Sequence, residues 1–174
     1  FSYVLILSIG AILCGYKKRW ASVNLIAMTG TYILYAGWFF KFYCDKPGSG
    51  TFENTQTVIA VWWLWLFFAI YLVLPILHDL VRNILTDTVN VVLVAINSAI
   101  VFFFMWNILY DHHRYLLAGS AIVLGSAHLL VMWMSQIKGS EDKELRSVLL
   151  TIGLSFITIS VPLCLKGHGI AMVW

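Results

Sequence analysis

Long apolar runs separated by short polar connections are the feature that most constrains what this chain can fold into. The chain is 61% hydrophobic and only 11% charged, with a mean hydropathy of +0.87. An ordinary soluble domain is roughly 45–50% apolar and about 25% charged. Because a water-soluble fold of 174 residues cannot hide so much apolar surface, the sequence predicts an integral membrane protein.

The apolar runs have the length that membrane-spanning helices need. A helix crosses the roughly 30 Å of hydrocarbon with about 20 mostly apolar residues. We therefore predict an all-α, polytopic transmembrane helix bundle with about six spans and the start of a seventh. The predicted spans are about 1–16, 21–43, 58–77, 88–110, 115–137, 145–165 and 169–174 onward. Apolar runs at both ends lead us to expect that residues 1–174 are a single membrane-embedded segment of a larger protein.

The connections between these runs are too short for a soluble domain. The third, "HDLVRNILTDT", is open to two interpretations. Leu80, Val81, Ile84 and Leu85 have helical spacing and could form a short interfacial helix. A plain extension of the third span past Pro75 explains the same pattern.

Lysine and arginine residues, counted by side of the membrane, predict the orientation. The first, third and fifth connections hold seven of them, and the opposite span ends hold four. The positive-inside rule then places the 17–19 loop in the cytoplasm. Aromatic side chains fall toward the opposite, outer interface, where they are expected to form a belt. They are Trp38, Tyr43, Trp62, Trp63, Trp65, Trp106 and Tyr110.

Two polar residues lie deep in predicted spans, Asn97 in the fourth and His128 in the fifth. One interpretation is a polar pocket for a substrate. The other is packing between helices, in which amides and imidazoles hydrogen-bond for about 0.6 kcal/mol each. Small residues favour close packing as well, because Ala121–Gly125 and Gly30–Gly37 each place two small side chains on one helix face.

An outer-interface cluster, "DHHRY", contains Asp111, His112 and His113. Adjacent histidines on a helix point about 100° apart, so they do not chelate one ion as an i, i+4 pair can. A solvated loop is the simpler interpretation, and we predict no metal site. "KPGSG" is a turn rather than a phosphate loop, because no GK[ST] follows it.

Several classes of function lack support in the sequence. The formal charge of +3 is scattered without a basic stripe, so no nucleic-acid partner is predicted. No nucleophile elbow, HExxH or dinucleotide fingerprint occurs, and we predict no cofactor. The expected partners are the lipid bilayer and the remaining helices of the same chain. The residue types at positions 19, 30, 31 and 38 recur, identical or similar, 95 residues later. We call this match the 95-residue echo, and an inverted repeat is one explanation for it.

Two stretches of the sequence carry a family resemblance. They are "LSIGAILCGYKKRWASVNLIAMTGTYILYAGWFF" and "SFITISVPLCLKGHGIAMVW". In the second stretch, Pro162, Leu163, Leu165, Gly167 and Trp174 match a P-L-x-L-x-G … W passage. The chain thereby resembles the bacterial predicted membrane proteins called domain of unknown function 2339. The resemblance implies a longer many-helix protein of the bacterial inner membrane and transfers no catalytic residues.

The sequence leaves three hypotheses for function. The first is a non-enzymatic membrane-embedded domain with a structural or assembly role in the envelope, favoured by the lack of charge inside the spans. The second is a transporter or lipid-handling channel module with a polar site near Asn97 and His128. The third, an enzyme using Asp111, His112 or His113, has no recognisable acid–base spacing behind it.

Overall fold

The computed structural model describes residues 4–6, 10, 21–43, 55–82, 88–111, 113–137 and 143–165, except for the side chains at 21, 74–82 and 88. Five long helices account for most of these residues, and no strand occurs among them. We number them α1 (Ala21–Trp38), α2 (Thr55–Arg82), α3 (Thr88–Leu109), α4 (Arg114–Ile137) and α5 (Lys143–Cys164). A π-helical turn, Phe39–Tyr43, continues α1 without a break.

The predicted all-α membrane fold is confirmed. All five helices are long and apolar enough to cross a membrane, over Ser22–Tyr43, Thr55–Val73, Val89–Leu109, Arg114–Ile137 and Lys143–Cys164. The spans predicted at 88–110, 115–137 and 145–165 each agree with one helix to within two residues at either end, and the span at 21–43 corresponds to α1 together with its π-helical turn. Most of the first predicted span and the whole seventh lie outside the described residues.

The third span is longer than predicted. Helix α2 runs from Thr55 to Arg82, whereas the hydropathy placed the span at 58–77. The helix therefore continues past position 75, which supports the extension of the span rather than a separate interfacial helix up to Arg82. A proline is tolerated in a membrane helix because neighbouring groups satisfy the backbone carbonyl that it frees.

The chain divides into two compact units, residues 1–101 and 102–174. In the first unit, α1 and α2 pack through aromatic side chains. Tyr35 is fully buried and stands edge-on to Phe67 of α2, with ring centroids 6.5 Å apart and planes 87° apart. Phe39 stacks on Tyr43 across the π-helical turn, with centroids 5.0 Å apart. Edge-to-face and offset contacts of this kind add to the stability that burial alone provides.

In the second unit, α4 and α5 approach closely at two glycines. A Cβ built on Gly125 would lie 2.8 Å from the carbonyl oxygen of Gly153, and one on Gly153 would lie 3.1 Å from the carbonyl oxygen of Gly125. A larger residue at Gly125 would therefore force a backbone to move. The close packing expected of the Ala121–Gly125 pair is thus observed, since Ala121 is also fully buried.

The same expectation is not met at Gly30 and Gly37 within the described part of the chain. A Cβ on either residue would meet no atom within 4 Å there, so neither glycine marks a close contact between described helices. The residues that the 95-residue echo relates therefore lie in different surroundings. Gly30 is open where Gly125 is tightly packed, and Thr31 is buried where Ser126 is exposed.

Candidate functional site

Tyrosine hydroxyls connect α1 to α2 along the core of the first unit. Near one end, the hydroxyl of Tyr43 lies 3.2 Å from Oγ1 of Thr57. Earlier in α1, the hydroxyl of Tyr35 donates to the backbone carbonyl of Ala60 at 3.1 Å. These contacts are the first two rungs of what we call the tyrosine ladder, formed by Tyr32, Tyr35, Tyr43 and Tyr71 with their hydrogen-bond partners.

The third rung joins Thr31 of α1 to Tyr71 of α2. Oγ1 of Thr31 donates to the carbonyl of Ala27 at 2.8 Å and lies 2.8 Å from the Tyr71 hydroxyl. A threonine hydroxyl has one proton, so Tyr71 must be the donor in the contact between the two side chains. From Thr31 to Tyr43 the ladder follows about 18 Å of helix axis at 1.5 Å per residue.

Asn97 attaches α3 to both of these helices. Its side-chain oxygen accepts a hydrogen bond from the Tyr32 hydroxyl of α1. Its Nδ2 donates to the backbone carbonyl of Phe68 in α2 at 3.2 Å. Asn97 has no exposed surface, so the amide lies wholly inside the first unit. The assignment of a functional role to Asn97 stays a prediction, but its surroundings are those of an interhelical connection.

The side chains of the ladder and of Asn97 are buried and hydrogen-bonded. Their four tyrosines and the asparagine have exposed fractions of 0 to 5%. The five hydrogen bonds described above each link one helix to another. At roughly 0.6 kcal/mol for each bond inside a membrane, they contribute about 3 kcal/mol to holding the three helices together.

In the second unit, His128 is fully buried, as Asn97 is in the first. It has no exposed surface and lies one helical turn after Gly125, where α4 and α5 approach closely. Its Nδ1 lies 2.7 Å from the carbonyl of Leu124, on its own helix. Its ring faces Phe156 of α5, with centroids 6.3 Å apart. Asn97 and His128 belong to different units, and their joint role as a polar pair stays a prediction.

The predicted outer-interface cluster is only partly described. Asp111 is exposed in the turn between α3 and α4, His113 is half-buried, and His112 lies outside the described residues. The His113 carbonyl accepts hydrogen bonds from the N–H groups of Leu116 and Leu117, so this residue directly precedes α4 and accepts its first helical bonds. Over the described ranges, no three His, Cys, Asp or Glu side chains are grouped as metal ligands would be.

Sequence reasoning missed the tyrosine ladder and misplaced one of its members. The predicted outer aromatic belt includes Tyr43, but its side chain is buried, with 3% exposure, and contacts Thr57. The available signal was the position of Tyr32 and Tyr35, which lie near the middle of a span. A phenol at that depth needs an internal partner, because lipid offers none. Trp62 and Trp106 remain exposed, as a belt requires.

Chemically, the described site residues are suited to joining helices. The polar atoms of the ladder and of Asn97 are engaged with one another or with backbone carbonyls, and buried polar groups in that state rigidify a core. Neither a curated protein nor a solved structure matches this chain. A family model does match it, over residues 1–174, so the chain belongs to the family described as "Predicted membrane protein (DUF2339)".

Proposed function

We propose that this part of the protein is a non-enzymatic, membrane-embedded helix bundle with a structural or assembly role in the bacterial envelope. The observation that carries the proposal is Asn97, a fully buried amide that joins α3 to Tyr32 of α1 and to the Phe68 carbonyl of α2. The amide oxygen and one amide N–H are engaged inside the protein, and the side chain has no exposed surface that a substrate could contact.

The distribution of charge also supports a structural role. Helix α3 has no charged residue between Thr88 and Leu109. In α4 the charged residue is Arg114, at the helix start. Proton and ion pathways usually need ionisable groups inside the membrane. In α3 and α4, His128 is the one ionisable side chain inside the span, and such a scarcity suits a domain that holds neighbouring segments in place.

The proposal predicts how function should follow the amount of folded protein. In a strain deleted for the gene, the full chain would be returned as wild type, Asn97→Leu or His128→Leu. The amount of folded protein in the membrane and the leakage of an envelope-impermeant dye would then be measured. A structural role predicts that envelope integrity follows the folded amount along one curve for all three proteins. A variant present at the wild-type level but without function would contradict the proposal.

A transport or lipid-handling role is the second candidate, and one observation favours it. A shallow groove of about 530 Å³ lies on α5, lined by Thr151, Leu154, Ser155, Thr158 and Ile159. Its hydroxyls donate to backbone carbonyls of their own helix, at 2.7 to 2.9 Å, so their oxygens present acceptors outward. Replacing Ser155 and Thr158 with alanine would abolish function at a normal folded amount if the groove handles a substrate.

A further inference from the structure

The π-helical turn at the end of α1 is a rare backbone feature. It covers Phe39–Tyr43 and follows the α-helical part of α1 directly. A π turn holds one more residue than an α turn, because each of its hydrogen bonds spans five residues rather than four. Such turns occur mostly singly within α-helices, and they are frequent at functional sites. Here the extra residue decides which side chain after Phe39 faces α2.

The directions of the side chains around the helix axis show this effect. At about 100° per residue, the buried residues Tyr35 and Thr31 lie at about −40° and −80° from Phe39. A regular α turn would place Phe42 at about −60°, between these two, and Tyr43 at about +40°. The structure shows the opposite choice, since Tyr43 is 3% exposed and Phe42 is 48% exposed.

Specific contacts hold Tyr43 in the inward position. Its hydroxyl lies 3.2 Å from Oγ1 of Thr57 in α2. Its ring stacks on Phe39, with centroids 5.0 Å apart, and is 6.4 Å from the ring of Trp38. The hydrogen bond to Thr57 thus favours the π turn, because an α turn would rotate the hydroxyl away from its partner.

The α arrangement has compensations of its own. Tyr43 ends the candidate span Ser22–Tyr43, so it lies at the level of the membrane interface. Tyrosine is favoured at that level, and phenylalanine gains from burial in a core. Replacing Tyr43 by Phe42 against α2 would therefore exchange one hydrogen bond for a better position of both aromatic side chains.

We propose that Phe39–Tyr43 is a two-state conformational switch. In the π register, which the structure shows, Tyr43 binds Thr57 and Phe42 faces outward. In the α register, Phe42 packs against α2 and Tyr43 turns toward the interface. The exchange changes the surface at the end of α1 without moving the rest of the helix, and a neighbour that prefers one register shifts the balance. It involves only α1 and α2 and is independent of the structural role proposed above.

Fluorine NMR of the full chain in lipid nanodiscs tests the switch. A 4-fluorophenylalanine at position 42 would report lipid exposure through relaxation by dissolved oxygen, and saturation transfer would detect a minor state. We expect a major exposed state and a minor shielded state in the wild type. Thr57→Val removes the hydrogen bond at similar size, so it should raise the shielded-to-exposed ratio about threefold. The same probe at Phe103, which is 54% exposed in α3, should not respond.

Deletion of Phe40, which is 57% exposed, provides the second measurement. It removes the extra residue, so a regular α turn then places Tyr43 three positions after Phe39, at about −60° and still facing α2. The chain should fold, the shielded state of Phe42 should disappear, and Thr57→Val should no longer produce it. Deletion of the exposed Ile33 from the regular part of α1 is the matched control, and it should lower the folded amount strongly.

Three results would overturn the proposal. The first is the absence of a shielded state in both the wild type and Thr57→Val. The second is a shielded state that persists after the deletion of Phe40. The third is an equal loss of folded protein for the deletions of Phe40 and Ile33, because the turn would then hold no extra residue.

Discussion

Replacing Gly125 with alanine is expected to destabilise the pairing of α4 with α5. The added methyl would lie 2.8 Å from the Gly153 carbonyl oxygen and 3.0 Å from Cγ1 of Ile157. The first contact is with backbone, so it cannot be relieved by rotating a side chain. The two helices would have to move apart at this close contact.

A matched substitution in the same helix isolates this steric cost. A Cβ on Gly119 would meet no atom within 4 Å among the described residues. Both substitutions gain about 1 kcal/mol of helix propensity, because alanine is the better helix former. Only Gly125→Ala also overpacks, which typically costs about 1–3 kcal/mol. The two variants should therefore differ by about 1–3 kcal/mol in free energy of unfolding, with Gly125→Ala the less stable.

The assay is reversible unfolding of the full chain in mixed micelles as the fraction of dodecyl sulfate rises. Helix content by circular dichroism gives a free energy of unfolding for each variant. Equal stabilities of Gly125→Ala and Gly119→Ala would refute the reasoning, because they would mean that α4 and α5 do not touch at Gly125. A more stable Gly125→Ala would refute it equally.

Two further predictions concern the packing within each unit. In a double-mutant cycle, Tyr32→Phe and Asn97→Leu should show a coupling of about 0.6 kcal/mol in the same unfolding assay, since each variant removes the same hydrogen bond. Strictly additive effects of the two substitutions on the free energy of unfolding would contradict the contact. In α5, Leu149→Ala should cost about 2–5 kcal/mol, because Leu149 is fully buried. Its neighbour Leu150 is 41% exposed, so Leu150→Ala should cost much less; similar costs for the two would mean that α5 is rotated from the orientation described.

The spans were predictable because the thickness of hydrocarbon sets their length. Asp, Lys and Arg cluster at the ends of the apolar runs, and the helices accordingly begin and end near them, as at Arg114. The extension of α2 to Arg82 was less predictable. Its last two turns contain His78, Asp79 and Arg82, which lower hydropathy without stopping a helix.

The contacts that join the helices were not predictable from hydropathy. Asn97 was singled out because an amide in lipid is conspicuous, but its partners Tyr32 and Phe68 come from two other helices. Tyrosine in a membrane helix is usually expected at the interface, and only its position near the middle of the span distinguishes Tyr35 from a residue of the aromatic belt. Which glycines pack is likewise a tertiary property, since Gly30 and Gly125 look alike in sequence and differ in surroundings.

The central claim is that Asn97 and His128 are packed inside the protein and closed to water. In the full-length protein, with Cys14, Cys44 and Cys164 replaced by serine, a single cysteine would be placed at position 97, at position 128, or at the exposed control Asp111. A small membrane-impermeant thiol reagent would be added from each side of the membrane. We predict labelling of the control and protection at both buried positions. Labelling at 97 and 128 at a rate near that of the control would reveal an aqueous cavity and contradict the structural role.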